Sequence, residues 1–166
     1  MLRLFGEVKE SITDGPGLRY AIFAQGCPHY CVGCHNPESH SFTDGYLIRG
    51  EEILEEIGKN PLLDGVTFSG GEPFMQAEEF AQMAKVVRSH NLSVIVFSGY
   101  TYEELLDLSK ERKGYMDLLM NVDILIDGRF EIEKKSMDLR FRGSTNQRAI
   151  DVQKSLASGE IALFQL

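Results

Sequence analysis

The chain has no tryptophan and only three cysteines in its 166 residues. A single disulfide would leave one thiol over, so a disulfide framework is excluded. No apolar run approaches the length needed to cross a bilayer, which argues against a membrane partner. The stretch Met1 to Glu7 holds no apolar signal core and no cleavage pattern, so the chain is expected in the cytoplasm, where thiols stay reduced. Positive charge is scarce as well: 17 Lys and Arg stand against 25 Asp and Glu, a formal net charge of −8. That balance excludes nucleic acid bound by phosphate attraction. A nucleophile elbow, a P-loop, a zinc-protease helix and an evident acid–base pair are all missing. Linkers and low-complexity segments are missing too, so residues 1–166 are read as a single domain, long enough to bury a core without metal staples.

What the chain does have is a cluster of all its cysteines, Cys27-Pro28-His29-Tyr30-Cys31-Val32-Gly33-Cys34. The short spacings favour a shared metal centre over a cross-link. A cubane iron–sulfur cluster has four irons to ligate, so three thiolates leave one iron open to a ligand that is not protein. An open metal position is where substrate binds, whereas closed sites are structural. A closed zinc site made from the three cysteines plus His29, His35 or His40 draws on the same residues. It would make the chain a zinc-stabilised binding module without catalysis, and the spacing alone leaves both readings open.

Strand-like runs alternate with helical ones, which is the pattern of an α/β domain. Strands are expected over Leu2–Val8, Leu18–Ala24, Gly65–Ser69, Leu92–Phe97, Val122–Ile126 and Glu160–Phe164. Helices are expected over Glu51–Lys59, Gln76–His90, Tyr102–Arg112 and Tyr115–Met120; the stripe Ala77, Phe80, Ala81, Ala84 and Val87 marks the clearest of them. Because a complete eight-unit barrel takes about 250 residues, the expected fold is a partial, open parallel β/α barrel of about six strands. Gly15-Pro16-Gly17-Leu18-Arg19-Tyr20 begins like a dinucleotide fingerprint but lacks the third glycine and leads into a strand, so a Rossmann fold is rejected.

In such folds chemistry collects at the C-terminal ends of the strands. The cysteine loop, Ser69-Gly70-Gly71-Glu72-Pro73, Ser98-Gly99-Tyr100 and Asp127-Gly128-Arg129 all follow strands there and would line one mouth. Paired glycines at a strand end let a ligand approach the backbone closely. Asp127 and Arg129 would orient a carboxylate or ribose, or form a surface salt bridge; Tyr100 would contact a cofactor or belong to the core. Six cations, Arg129, Lys134, Lys135, Arg140, Arg142 and Arg148, crowd into one stretch and read either as a basic docking face or as a solvated surface.

The C-x3-C-x2-C loop followed by Gly70-Gly71-Glu72-Pro73 resembles the radical S-adenosylmethionine superfamily. The resemblance implies that Cys27, Cys31 and Cys34 ligate a 4Fe-4S cluster. It implies that Gly70, Gly71 and Glu72 hold the methionyl ammonium of S-adenosylmethionine, with Gly33, Cys34 and His35 near its adenine. Gly33 departs from the commonest pattern, which has an aromatic residue there, and Tyr30 or His35 would compensate. Asp14-Gly15-Pro16-Gly17-Leu18-Arg19, Ser98-Gly99-Tyr100-Thr101, Ile126-Asp127-Gly128-Arg129-Phe130 and Arg142-Gly143-Ser144-Thr145-Asn146-Gln147-Arg148 narrow the resemblance. Together they are similar to the proteins that activate anaerobic ribonucleoside-triphosphate reductase, a glycyl radical enzyme. Ser98, Tyr100 and Asp127 join the implied cofactor contacts, and Arg142, Asn146 and Arg148 either complete the pocket or touch the partner.

The implied chemistry starts when a low-potential donor such as flavodoxin or ferredoxin reduces the cluster. The electron splits S-adenosylmethionine into methionine and a 5′-deoxyadenosyl radical, which removes hydrogen from a glycine of the reductase. An activase of the pyruvate formate-lyase type, or a radical enzyme acting on another protein or peptide, shares the first motifs. Residues 149–166 carry no recognised motif.

Overall fold

The computed structural model describes residues 1–166. In chain order the elements are β1 (Leu2–Ser11), β2 (Arg19–Ala24), β3 (Tyr46–Ile48), α1 (Gly50–Gly58), β4 (Gly65–Gly70), α2 (Ala77–Ser89) and β5 (Ser93–Phe97). They continue with α3 (Tyr102–Leu108), α4 (Tyr115–Leu119), β6 (Ile124–Asp127), β7 (Arg148–Asp151) and α5 (Val152–Ser158). All seven strands join one sheet in the order β3-β1-β2-β4-β5-β6-β7.

Only the centre of the sheet is parallel: β2 with β4, β4 with β5, and β5 with β6. The flanks are antiparallel, β1 with β2 and β3 on one side and β6 with β7 on the other. The sheet is not closed, because β3 and β7 are its edges. The expected partial, open parallel barrel of about six strands is matched in its openness and its parallel centre, and corrected to a mixed sheet of seven strands with antiparallel flanks. A parallel pair needs a crossover of a dozen or more residues. The link between β1 and β2 is too short for one and makes an antiparallel pair instead. Glu160–Phe164 is not a full strand; it contributes one bridge, Leu163 to Ile150.

Successive strand residues point to opposite faces, and the two faces have different cover. Leu2, Ile22, Phe68, Val94, Val96 and Leu125 share the larger core with Phe80, Ala84, Val87, Leu105 and Leu118 from the helices. On the other face Ile95, Ile124, Ile126 and Ala149 form a small cluster that no helix enters, with Phe97 and Leu166 beside it. All helices thus lie on one side. No helix is long and apolar enough to cross a membrane.

Arg19 ties the N-terminal ends of the parallel strands together. It is 1% exposed, and its five N–H groups reach Thr67 Oγ1, the carbonyls of Pro16, Val66 and Ser93, and Ser93 Oγ at 2.8 to 3.1 Å. Burial lowers its pKa to about 10. The Gly15-Pro16-Gly17 turn belongs to this structural end, away from the mouth.

Candidate cofactor site

The cysteine loop leaves the C-terminal end of β2 and is anchored by backbone. The N–H groups of Gly26 and Cys27 donate to the carbonyls of Ser39 and His40 at 2.7 and 3.1 Å. The turn after β4 is fastened to the same root: Gly71 N–H donates to Ala24 O at 2.7 Å, and Glu72 N–H to Gly26 O at 2.8 Å. A Cβ on Gly71 would collide with the Gly26 carbonyl. The room left by the missing side chain is taken by the root of the cysteine loop, so this glycine sets the spacing between two segments of the mouth.

All three cysteines are free; Cys27 is buried, while Cys31 and Cys34 are partly exposed. Tyr30 and Gly33 precede the second and third cysteines with φ of 50° and 77°, and this double left-handed turn coils the loop on itself. A Cβ on Gly33 would press on Ile132 Cδ1 at 2.6 Å, and the glycine's φ of 77° disfavours any side chain. The Phe130 ring reaches this place from the opposite loop, 5.2 Å from the His35 ring. Sequence reasoning missed Phe130 as a site residue, since nothing local signals which aromatic folds back onto the cysteines.

Burial pushes the Cys27 thiol up to about 11, with the Glu72 carboxylate and Cys31 adding to the effect. Cys31 is raised by burial first and by Cys34, against the pull of the Phe130 N–H and Arg129. Metal taken up by these thiols therefore has to displace protons.

Glu72 is fully buried and its carboxylate is crowded with donors. It accepts from Phe74 N–H at 3.0 Å, Ser98 Oγ at 2.9 and 3.0 Å, Gly99 N–H at 2.9 Å and His29 Nε2 at 2.7 Å. Ser98 and Glu72, both expected at the site, are thus joined to each other. Tyr100 is buried, edge-on to the His29 ring at 4.6 Å, with its hydroxyl near Arg112. Asp127 is 1% exposed and accepts from Tyr102 N–H at 2.8 Å and from Arg148 at 3.1 and 2.5 Å. It caps the start of α3 and anchors the start of β7.

The cation run divides in space. Arg148 pairs with Asp127 and Glu103, Arg129 with Glu104, and Lys134 with Glu131. Lys135, Arg140 and Arg142 have no carboxylate partner; Arg142 Nε donates to the Arg140 carbonyl at 3.3 Å.

A cavity of about 550 Å³ opens beside Cys31, lined among others by His29, Gly128, Arg129, Phe130 and Asn146. Asn146 Nδ2 donates to the Arg129 carbonyl at 2.8 Å, which fixes the amide's orientation. Its Oδ1 is buried without any partner. An orphaned buried acceptor calls for a donor from outside the chain, and a hydroxyl- or amine-bearing ligand would supply one.

No three His, Cys, Asp or Glu side chains converge on a point where one ion would sit. The imidazoles that a zinc site would need are turned to other partners, His29 to Glu72, His35 to Phe130 and His40 to Tyr30. A cubane puts each thiolate on a different iron, so this donor set fits a cluster better than a single ion.

The family described as a 4Fe-4S single cluster domain matches residues 13–150, which includes the three cysteines, Glu72 and Asn146. The chain is 33% identical to the anaerobic ribonucleoside-triphosphate reductase-activating protein of Haemophilus influenzae, over 82% of this chain and 89% of that one. The chain belongs to the anaerobic ribonucleoside-triphosphate reductase-activating protein family. Another member of the family, from Enterobacteria phage T4, is 30% identical over 82% of this chain and 85% of its own. The pyruvate formate-lyase-activating enzyme of Clostridium pasteurianum is 36% identical, over 57% of this chain and 44% of its own. Likeness to the reductase-activating proteins therefore covers more of the chain than likeness to the other activase, 82% against 57%.

Proposed function

We propose that the chain is a radical S-adenosylmethionine activating enzyme whose target is anaerobic ribonucleoside-triphosphate reductase. The observation that carries this reading is the joining of three free thiols, on one coiled loop, to the Gly-Gly-Glu turn by two backbone hydrogen bonds at its root. Family membership supplies the class of target.

Cys27, Cys31 and Cys34 would hold the 4Fe-4S cluster. When bound and reduced by an external donor, the cluster supplies the electron that splits S-adenosylmethionine to methionine and a 5′-deoxyadenosyl radical able to take hydrogen from a glycine of the reductase. The protein's own work is placement. The coiled loop presents the thiols, and the turn after β4 is held at fixed spacing from them. Asn146 Oδ1 offers an acceptor to a ribose hydroxyl or an adenine amine in the cavity beside Cys31. Phe130 supplies the aromatic surface that Gly33 lacks. Arg148 and Asp127 position the ends of β6, β7 and α3 rather than meeting a partner, which leaves Lys135, Arg140 and Arg142 as the cations free to do so.

The test is anaerobic reconstitution with iron and sulfide, followed by S-adenosylmethionine and a reductant. Formation of 5′-deoxyadenosine and methionine supports the reading. A colourless zinc protein that leaves S-adenosylmethionine intact would overturn it.

A further inference from the structure

Three residues separate Cys27 from Cys31, and they do not behave alike. Pro28 is exposed and Tyr30 is 62% exposed, while the His29 side chain is only 4% exposed. Its Nε2 lies 2.7 Å from Glu72 Oε1. A carboxylate accepts and does not donate, so Nε2 carries the hydrogen. The ring also packs edge-on to Tyr100, and a Cβ on Gly99 would overlap it. The bond to Glu72 is the one side-chain hydrogen bond from residues 28–33 to a segment distant in sequence.

The partner carboxylate is equally committed. Glu72 is met from three other directions by Phe74 N–H, Ser98 Oγ and Gly99 N–H. It therefore acts inward, as the hub on which the cysteine loop, the turn after β4 and the end of β5 converge. A buried carboxylate is tolerated only while its lone pairs are met, and truncating one donor loosens the whole hub.

We propose that His29 is a positioning residue: through Glu72 it locks the cysteine loop to the Gly-Gly-Glu turn, holding the cluster and the amino-acid end of S-adenosylmethionine in one register. This rests on the function proposed above. The effect needs no change of protonation; it comes from a directional hydrogen bond and a ring wedged against Gly99 and Tyr100.

The experiment compares wild type, His29→Ala, His29→Gln and Ser98→Ala. Glutamine keeps an N–H donor at a similar reach. In the metal-free chain, amide hydrogen exchange of residues 26–34 and 70–72 should quicken by about tenfold or more in His29→Ala, the size expected for loss of a charge-assisted hydrogen bond. His29→Gln should return it close to wild type. After reconstitution, His29→Ala should hold wild-type iron and sulfide yet bind S-adenosylmethionine about tenfold more weakly. It should also show a broadened cofactor-induced change in the electron paramagnetic resonance spectrum, which His29→Gln again restores.

Ser98→Ala removes another donor to the same carboxylate and should shift both readouts the same way, so the idea stays testable if His29→Ala does not fold. Wild-type exchange and affinity in His29→Ala overturns the proposal, as does failure of glutamine to rescue. Loss of iron in both His29 variants also overturns it, since His29 would then be a ligand. A wild-type cluster indifferent to S-adenosylmethionine would contradict the proposed function instead, and the metal-free exchange would still decide the role of His29.

Discussion

Cys27, Cys31 and Cys34 sit in a loop that contributes little to the main core, where the sheet and helices pack without them. Replacing any one by alanine is expected to abolish cleavage of S-adenosylmethionine while circular dichroism and gel filtration report a folded chain. Cleavage retained in any single variant would remove that cysteine from the ligand set. Arg148 and Arg142 make a sharper contrast. Arg148 is paired with the buried Asp127, and Arg148→Glu would set two carboxylates against each other. It should cost about 2 kcal/mol of stability, below the roughly 3 to 5 for a fully buried pair because Arg148 is a third exposed. Arg142→Glu should stay within about 0.5 kcal/mol of wild type, as unpaired surface changes usually do. Urea unfolding of the metal-free variants measures both; equal stability of the two would contradict the ion-pair assignment. At this scale the cysteines were legible because a cluster loop is local in sequence. The hub around Glu72 was not, since His29 lies 43 residues before it and Ser98 26 residues after.

Pairing among β1, β2 and β3 is reinforced by one carboxylate that takes two phenols. Glu7 accepts from Tyr20 and Tyr46, each at 2.7 Å. Burial, then the bond to Glu7, holds both phenols above their usual range. An acid raised in the folded state stays protonated where the unfolded chain has begun to ionise. Stability from this cluster is therefore complete below about pH 10, the ordinary tyrosine value, and is lost as pH rises beyond it. Melting temperatures of the metal-free chain between pH 8 and 11 should fall steeply at the alkaline end. A Tyr20→Phe, Tyr46→Phe double variant should start lower and fall less; parallel curves would rule the cluster out as the cause. The long helix α2 was readable from its periodicity and strand β5 from its short β-branched run. By contrast β3 has three residues and β7 four, too short for alternation to show. Helix α5 follows β7 without a loop, its cap being Asp151, so no turn residues announced it.

For the whole molecule, alternation of strands and helices correctly indicated a parallel centre, and the motifs at strand ends do gather at one end of β2, β4, β5 and β6. The misreading was at the flanks, where β1, β3 and β7 pair antiparallel. Only β2, β4, β5 and β6 pair in parallel; the others pair antiparallel, β1 with β2 across a short link and β3 and β7 across longer ones. The result is an open sheet with one helix-free face. The run of six cations could be read as a docking face or a solvated surface, because sequence gives no sign that Arg129, Lys134 and Arg148 are paired within the chain.

The most direct measurement is glycyl radical formation. The reconstituted chain, S-adenosylmethionine and a low-potential reductant are mixed anaerobically with anaerobic ribonucleoside-triphosphate reductase, and the radical is followed by electron paramagnetic resonance. The expected result is a glycyl doublet on the reductase, with 5′-deoxyadenosine formed alongside it and neither product from a variant lacking any one of the three cysteines. A loaded, S-adenosylmethionine-cleaving chain that leaves this reductase without a radical, while activating a different protein, would contradict the assignment of its target.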